Sequence, residues 1–354
     1  MTSLTNVVLS NTSIAPQLLG SIRDIVSLRE FSILSCDMKE MTRGQIEKYT
    51  TAFRSKLECF RFMICNSDHW ISPKRDKCFG FLPLITDLED LRTDSWNLFK
   101  AMMTSSKSPP PLRILELGDA RVTWKMDIFE FLYRLPTLTS LSLDSFDPED
   151  FLSETMSRAS SDFLFLSRMT NLRHLTCPPQ MVPRLKGPHN LSHLAFFTHN
   201  VRSSDDLLRL LRSVAQLDSW FRIDHYASIS ELQIPLIFLV QMNLAPAGIF
   251  LTELRRLAID GSTQLNSSIA PDDEWLKKKI WESLHLFATP SVKELHFTDF
   301  PQRYSFATTR LLFGASIGHF PELARLIFMN RNGYNVECTK DSASGEWVLE
   351  IHPY

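Results

Sequence analysis

Apolar and polar positions recur along this chain in one arrangement: an apolar residue, two free places, an apolar residue, one free place, an apolar residue. It stands at LTNVVL (from Leu4), LREFSI (Leu28), LECFRF (Leu57), LRILEL (Leu112), LTSLSL (Leu138), LRHLTC (Leu172), LSHLAF (Leu191), LRRLAI (Leu254), VKELHF (Val292) and LARLIF (Leu323). Chance supplies such a pattern roughly four or five times in a Leu-rich chain of this size. Ten occurrences therefore read as an internal repeat. Successive starts lie 24, 29, 26, 34, 19, 38 and 31 residues apart where neighbours are clear, which is one irregular size class.

Each core predicts a short strand. By the period-two rule its fourth and sixth places point inward, and its third, fifth and seventh point outward. Helical periodicity precedes several cores, as in IFEFLYRLP and DDEWLKKKIWESLHLF, and a proline stands two places before four of them, at Pro110, Pro136, Pro290 and Pro321. One strand and one helix cannot bury their apolar faces alone, so successive units must stack and share a core. The expected fold is an α/β solenoid over residues 1–354, with a parallel sheet on the concave face and helices on the convex face.

LREFSILSC and LECFRFMIC carry a cysteine at the ninth place, in the turn leaving the strand, where a small buried residue is expected. This form resembles leucine-rich repeats of the cysteine-containing type. The irregular units joined by SPPPLRILEL and FPELARLIF resemble fungal F-box/leucine-rich-repeat proteins. The ninth place is elsewhere Ala120, Phe146, Gln180, His199, Ser262, Phe300 or Arg331, so the motif is degenerate. The resemblance implies a non-enzymatic protein-recognition module, similar to the substrate-binding part of a ubiquitin-ligase subunit. Family members carry an adaptor-docking helical module ahead of the repeats. APQLLGSIRDI (Ala15 to Ile25) resembles its opening, but is one residue short and runs directly into LREFSILSC. The chain is thus expected to lack a clear F-box. A ligase adaptor is a partner only if that segment is a remnant, and a truncated family member without retained function is an alternative.

Several stretches fit the repeat poorly. Residues 66–111 read as an irregular repeat or insertion, with FGFLPL (Phe79 to Leu84) a candidate core that Pro83 would interrupt. LDSWFRIDHY (Leu217 to Tyr226) is expected to hold another strand. Residues 335–354 are expected to form a C-terminal capping region, closed by the alternating strand WVLEIHPY. The uncharged segment Leu232 to Leu251 is long enough to cross a bilayer. Its two prolines and three amides instead predict a buried helix followed by a loop.

Composition narrows the function class. With 44% hydrophobic and 22% charged residues the chain reads as folded, and a net charge of -2 gives no basic field for a nucleic acid. Its six cysteines form no CxxC pair, and the N-terminus MTSLTNVVLSN has neither a basic start nor a long apolar run. A cytoplasmic or nuclear protein without membrane attachment or cofactor is expected.

The outward places supply the candidate partner surface: Glu30, Arg61, Met63, Glu116, Asp144, His174, His193, Phe197, Arg256, Asp260, Glu294, His296, Arg325 and Met329. Mixed charge with scattered apolar anchors suits a protein partner better than a phosphate track. His174 and His193 occupy the third place of consecutive cores, about 5 Å apart if the strands pair. They could share a metal or sense pH, or simply stand solvated. Cys59, Cys65, His69 and Cys78 are metal-ligand types at spacings that match no familiar zinc finger, and Cys59 and Cys65 are expected to diverge. GASIG (Gly314 to Gly318) matches a nucleophile elbow, with Asp341 and His352 following Ser316 in the hydrolase order. Its position ahead of the Leu323 core predicts a repeat helix or turn instead, so no catalytic residue and no metal ligand is assigned.

Overall fold

The fold is taken from a computed structural model that describes residues 3–36, 56–63, 87–95, 98–99, 102–103, 109–118, 131–143, 168–178, 189–196, 228–236, 251–261, 284, 289–300, 314, 316–330 and 334–353. The chain divides into two compact units, residues 1–163 with 168–172, and residues 164–167 with 173–354.

The first unit holds β1 (Asn6–Ser10), α1 (Pro16–Arg23), β2 (Glu30–Leu34), β3 (Cys59–Met63), β4 (Asp90–Thr93), β5 (Ile114–Leu117) and β6 (Ser140–Leu143). Each strand pairs in parallel with the next. The register is set by the repeat: Phe31, Phe60, Leu91, Leu115 and Leu141 stand in one file, and Ile33, Phe62, Thr93, Leu117 and Leu143 in another. Both files are buried, and so are Leu28, Leu57, Leu88, Leu112 and Leu138 at the first places. A one-residue slip would turn both files outward, which is why the register is so regular. Phe31 and Phe60 meet at 5.8 Å between ring centroids inside this core.

The second unit holds β7 (His174–Cys177), β8 (His193–Phe196), β9 (Glu231–Pro235), β10 (Arg256–Asp260), β11 (Glu294–Phe300), β12 (Arg325–Asn330), β13 (Tyr334–Lys340) and β14 (Trp347–Pro353). From β7 to β12 the strands are again parallel, with Leu175, Leu194, Leu232, Leu257, Leu295 and Leu326 in one buried file. The ladder then reverses, and β12, β13 and β14 run antiparallel. Stacked parallel strands with one inward apolar set per repeat are the leucine-rich-repeat architecture. Among the described residues the helical part comprises α1 and shorter helical stretches ahead of later strands, such as 131–133 and 316–319. Within α1, which has Pro16 at its start, Leu19 and Ile22 are buried.

Two strands use cores that differ from the expected ones. β4 rests on Leu88, Leu91 and Thr93. Thr93 fills a sixth place because its hydroxyl oxygen accepts the Ser95 amide at 3.0 Å, leaving no orphaned polar group. FGFLPL lies outside the described residues. β9 rests on Ile229, Leu232 and Ile234, so the uncharged segment begins as a strand rather than as the expected helix. The apolar spacing of ISELQI matches the repeat, and strand pairing on both sides overrides the helical reading of a short apolar run. No described helix is long and apolar enough to cross a membrane. LDSWFRIDHY also lies outside the described residues.

The hairpin turn between β13 and β14 contains Gly345, at a φ of 71° that suits glycine. Asn11 and Ser35 take positive φ where the chain leaves β1 and β2. Cys36 follows Ser35 and is half-buried rather than buried, its thiol directed to the Leu34 carbonyl at 3.4 Å. Cys65 lies outside the described residues.

Candidate functional site

The third and fifth places of the strands form a polar face on each unit. In the first unit it carries a chain of charges. Arg61 lies 3.8 Å from Asp90, Arg92 lies 3.1 Å from Asp90, and Arg92 also lies 3.5 Å from Glu116. The Asp90 hydrogen bond holds the Arg92 guanidinium above its ordinary pKa. Glu30 accepts a hydrogen bond from the Asn6 amide at 3.0 Å. Cys59 occupies an outward place yet is 8% exposed; burial first, and the Asp90 charge second, push its thiol up to about 11. Met63 runs toward Gly118, where an added Cβ would stand 3.3 Å from the Met63 methyl.

In the second unit the third places read His174, His193, Glu231, Arg256, Glu294 and Arg325 across six strands. The His174 and His193 rings meet edge to face, 5.8 Å between centroids. His193 Nδ1 lies 2.9 Å from Glu231 Oε2, and the Arg256 guanidinium donates to the same oxygen. Burial opposes ionisation of Glu231, but the His193 hydrogen bond and the Arg256 charge outweigh it and hold the carboxyl below its usual range. Burial pushes His174 down from 6.5, and the neighbouring His193 pushes it further. His296 is also pushed down, by burial above all, although Glu294 lies 3.2 Å away. Arg325 donates to Glu337 at 2.7 Å, which raises its pKa.

Of the expected surface residues, Glu30 and His174 are exposed, while Arg61, Met63, Glu116, His193, Arg256, Glu294, His296, Arg325 and Met329 are half-buried on this face. Asp260 is only 8% exposed, with the Gln233 amide 3.5 Å from its carboxylate, so it is not the open surface group expected from its seventh place. Asp144 and Phe197 lie outside the described residues. The periodicity missed Asp90 and Arg92 on β4 and Glu231 on β9, because the cores of those strands were not recognised. Glu337 was missed because it comes from an antiparallel strand that the repeat does not generate.

Candidate chemistry elsewhere does not assemble. Ser316 is fully buried. Asp341 is engaged in the hairpin turn, accepting the Ala343 and Ser344 amides at 2.8 and 2.6 Å, and these bonds hold its carboxyl below the usual range. His352 pairs with Asn335, five residues along β14 from Trp347 beside that turn, or about 17 Å at strand rise. Asp341 and His352 therefore do not converge. Among the described residues no group of three His, Cys, Asp or Glu side chains is placed to hold a metal; Cys65, His69 and Cys78 lie outside them.

A second file runs beside the polar face, made by the residue just before each strand. Its backbone geometry repeats: one carbonyl accepts the next two amides of the following repeat. Arg29 receives Glu58 and Cys59, Glu58 receives Glu89 and Asp90, and Glu89 receives Arg113 and Ile114, all at 2.7 to 3.1 Å. In the second unit Ser192 receives Ser230 and Glu231, Ser230 receives Arg255 and Arg256, and Arg255 receives Lys293 and Glu294, at 2.8 to 3.0 Å. Side chains of this pre-strand file therefore stand at about the strand spacing of 4.8 Å. Ser228, Ser230, Glu231, Glu253, Arg255, Arg256, Lys293 and Glu294 line a groove of about 630 Å³ along it.

Neither the family models nor the curated proteins searched contain a match to the chain. Among solved structures, it is similar to the leucine-rich repeat-containing protein LegL7 from Legionella pneumophila. That likeness has 15% identity, a TM-score of 0.36, and covers 78% of this chain and 91% of that one.

Proposed function

We propose that this protein is a non-enzymatic protein-recognition module that engages its partner through the polar face. The observation that carries this reading is the in-register display of charged side chains. A parallel ladder fixes each at a set spacing, while half-burial leaves the side chains part-exposed. Such pre-organisation lowers the entropy lost when a partner binds. The partner-contacting residues are Glu30, Arg61, Met63 and Glu116 in the first unit, with His174, His193, Arg256, Glu294, His296, Arg325 and Met329 in the second.

At the finer level we read the module as the substrate-receptor part of a ubiquitin-ligase subunit acting in the cytoplasm or nucleus. The repeat form LREFSILSC and the APQLLGSIRDI segment support this reading. The test is affinity capture from cell extract followed by mass spectrometry, with the intact chain and an Arg256→Ala variant as parallel baits. Arg256 sits in a half-exposed ion pair, so its loss costs about 1 kcal/mol or less of stability. The expected result is specific partners on the wild type and fewer on a variant of nearly equal melting temperature. Recovery of a ligase adaptor would support the finer reading. Equal capture by both baits would remove Arg256 from the surface, and absence of any specific partner would overturn the recognition reading.

A further inference from the structure

The inward files of the second unit run on past their last buried residue. Leu295, Leu326, Cys338 and Leu349 stand in one file across β11 to β14, and Phe297, Phe328, Val336 and Ile351 in the next. The first three members of each are buried, yet Leu349 is 51% and Ile351 55% exposed. Val348, on the opposite face of β14, is exposed as well. β14 is the last strand of the sheet, and among the described residues it pairs with β13 alone. Natural edge strands are kept from pairing by shortness, lysine, proline or an inward charge. β14 has seven residues, no lysine, no charge at its inward places, and a proline only at its final position, Pro353.

The backbone fixes which groups face the open side of this edge. The Asp341 amide donates to the Glu346 carbonyl at 2.8 Å, so position 346 is turned toward β13. By the alternation of an antiparallel ladder, Val348, Glu350 and His352 are turned the same way, while Leu349 and Ile351 direct their N–H and C=O groups away from β13.

We propose that β14 pairs antiparallel with β14 of a second copy of this chain, about a two-fold axis between the two Leu349 residues, to give an isologous dimer. In that register Leu349 lies opposite Leu349 and Ile351 opposite Trp347, so the inward apolar files continue from one copy into the other. On the outward face Glu350 lies opposite Val348. Glu346 lies opposite His352, which sets a carboxylate against an imidazole that can donate a hydrogen bond to it. The neighbouring registers each carry a fault. A centre at Glu350 sets that carboxylate against itself, and a centre at Val348 sets Glu350 against Glu346. A centre at Ile351 puts Pro353 opposite Leu349, and proline has no N–H for the Leu349 carbonyl. The strand is thus complementary to itself in one register, which names a second copy as the occupant. The edge takes no part in the polar-face contacts proposed above, so the dimer goes beyond the recognition reading and does not depend on it.

The test is sedimentation velocity of the full chain at micromolar concentration, together with oxidative cross-linking of two cysteine variants. The expected result is a wild-type dimer that Leu349→Lys converts to monomer, with little change in melting temperature because the replaced side chain is half exposed. As a hydrogen-bonded pair the two Leu349 Cα atoms would stand about 5.5 Å apart, within the span of a disulfide. Leu349→Cys should therefore form a covalent dimer under mild oxidation, with the wild type as the blank for the native cysteines. Ile351→Cys should not, since its two copies would lie four residues apart, about 14 Å at strand rise. A monomeric wild type, or a dimer that Leu349→Lys leaves intact, overturns the inference. So does cross-linking by Ile351→Cys in preference to Leu349→Cys, which would mean a different register. Should Leu349→Lys fail to fold, the wild-type mass and the two cysteine variants decide between the same outcomes.

Discussion

Before the strands of the first unit stand Arg29, Glu58, Glu89 and Arg113; before those of the second stand Arg173, Ser192, Ser230, Arg255 and Lys293. The backbone is the same in both places, with each carbonyl taking two amides of the next repeat. Only the side chains differ. One file closes its charges into cation–anion pairs, and the other sets two cations side by side. Since the ladder forms with either, the charges are not what builds it, and an arrangement that gives the sheet no benefit is free to serve a partner.

If the ladder is built by its inward files, core damage should be equal in the two units however different their surfaces. Phe60 packs on Phe31 in the first, and Phe297 stacks on Phe328 at 4.9 Å in the second. Phe60→Ala and Phe297→Ala should each cost about 3–5 kcal/mol in urea unfolding. A cost under about 1 kcal/mol in either would show that its unit is held by something other than the shared core.

The polar faces should differ in their response to acid. The second unit carries His174 and His296, both held below 6.5 by burial first. Above 6.5 both are neutral whether folded or unfolded, so their contribution to stability is fully present. As pH falls below 6.5 the unfolded chain takes up protons first, and stability declines until the folded-state values are passed. Denaturant unfolding of the wild type from pH 7 downward should therefore lose more stability than that of a His174→Gln/His296→Gln variant. Identical slopes would mean that burial on this face does not disfavour the charged imidazoles.

The division between what the sequence revealed and what it hid follows from the physics of the repeat. Inward places are legible because leucine, isoleucine and phenylalanine recur there at fixed spacing, and the stacking and register of ten cores follow from that alone. β4 was obscured because Thr93 replaces the sixth apolar residue and satisfies its hydroxyl locally. β9 was obscured because its inward residues merge with an apolar run that also fits a helix. The outward places could be named but not weighed: Asp260 looks the same in sequence as Glu294, yet is nearly buried. Pairing across strands, which joins His193 and Arg256 through Glu231, depends on which strands are neighbours, and that was hidden while β9 went unrecognised.

The smallest expected effect bears most directly on the central claim that the second unit keeps its cations together against the interest of the sheet. The measurement is the urea unfolding free energy of Lys293→Glu and Glu58→Lys beside the wild type. Lys293→Glu sets an anion next to Arg255 and should stabilise by about 0.5 kcal/mol, while Glu58→Lys sets a cation next to Arg29 and should destabilise by about as much. Opposite signs are the predicted result. Destabilisation by Lys293→Glu equal to that by Glu58→Lys would mean that Lys293 already serves the fold, and would contradict the account.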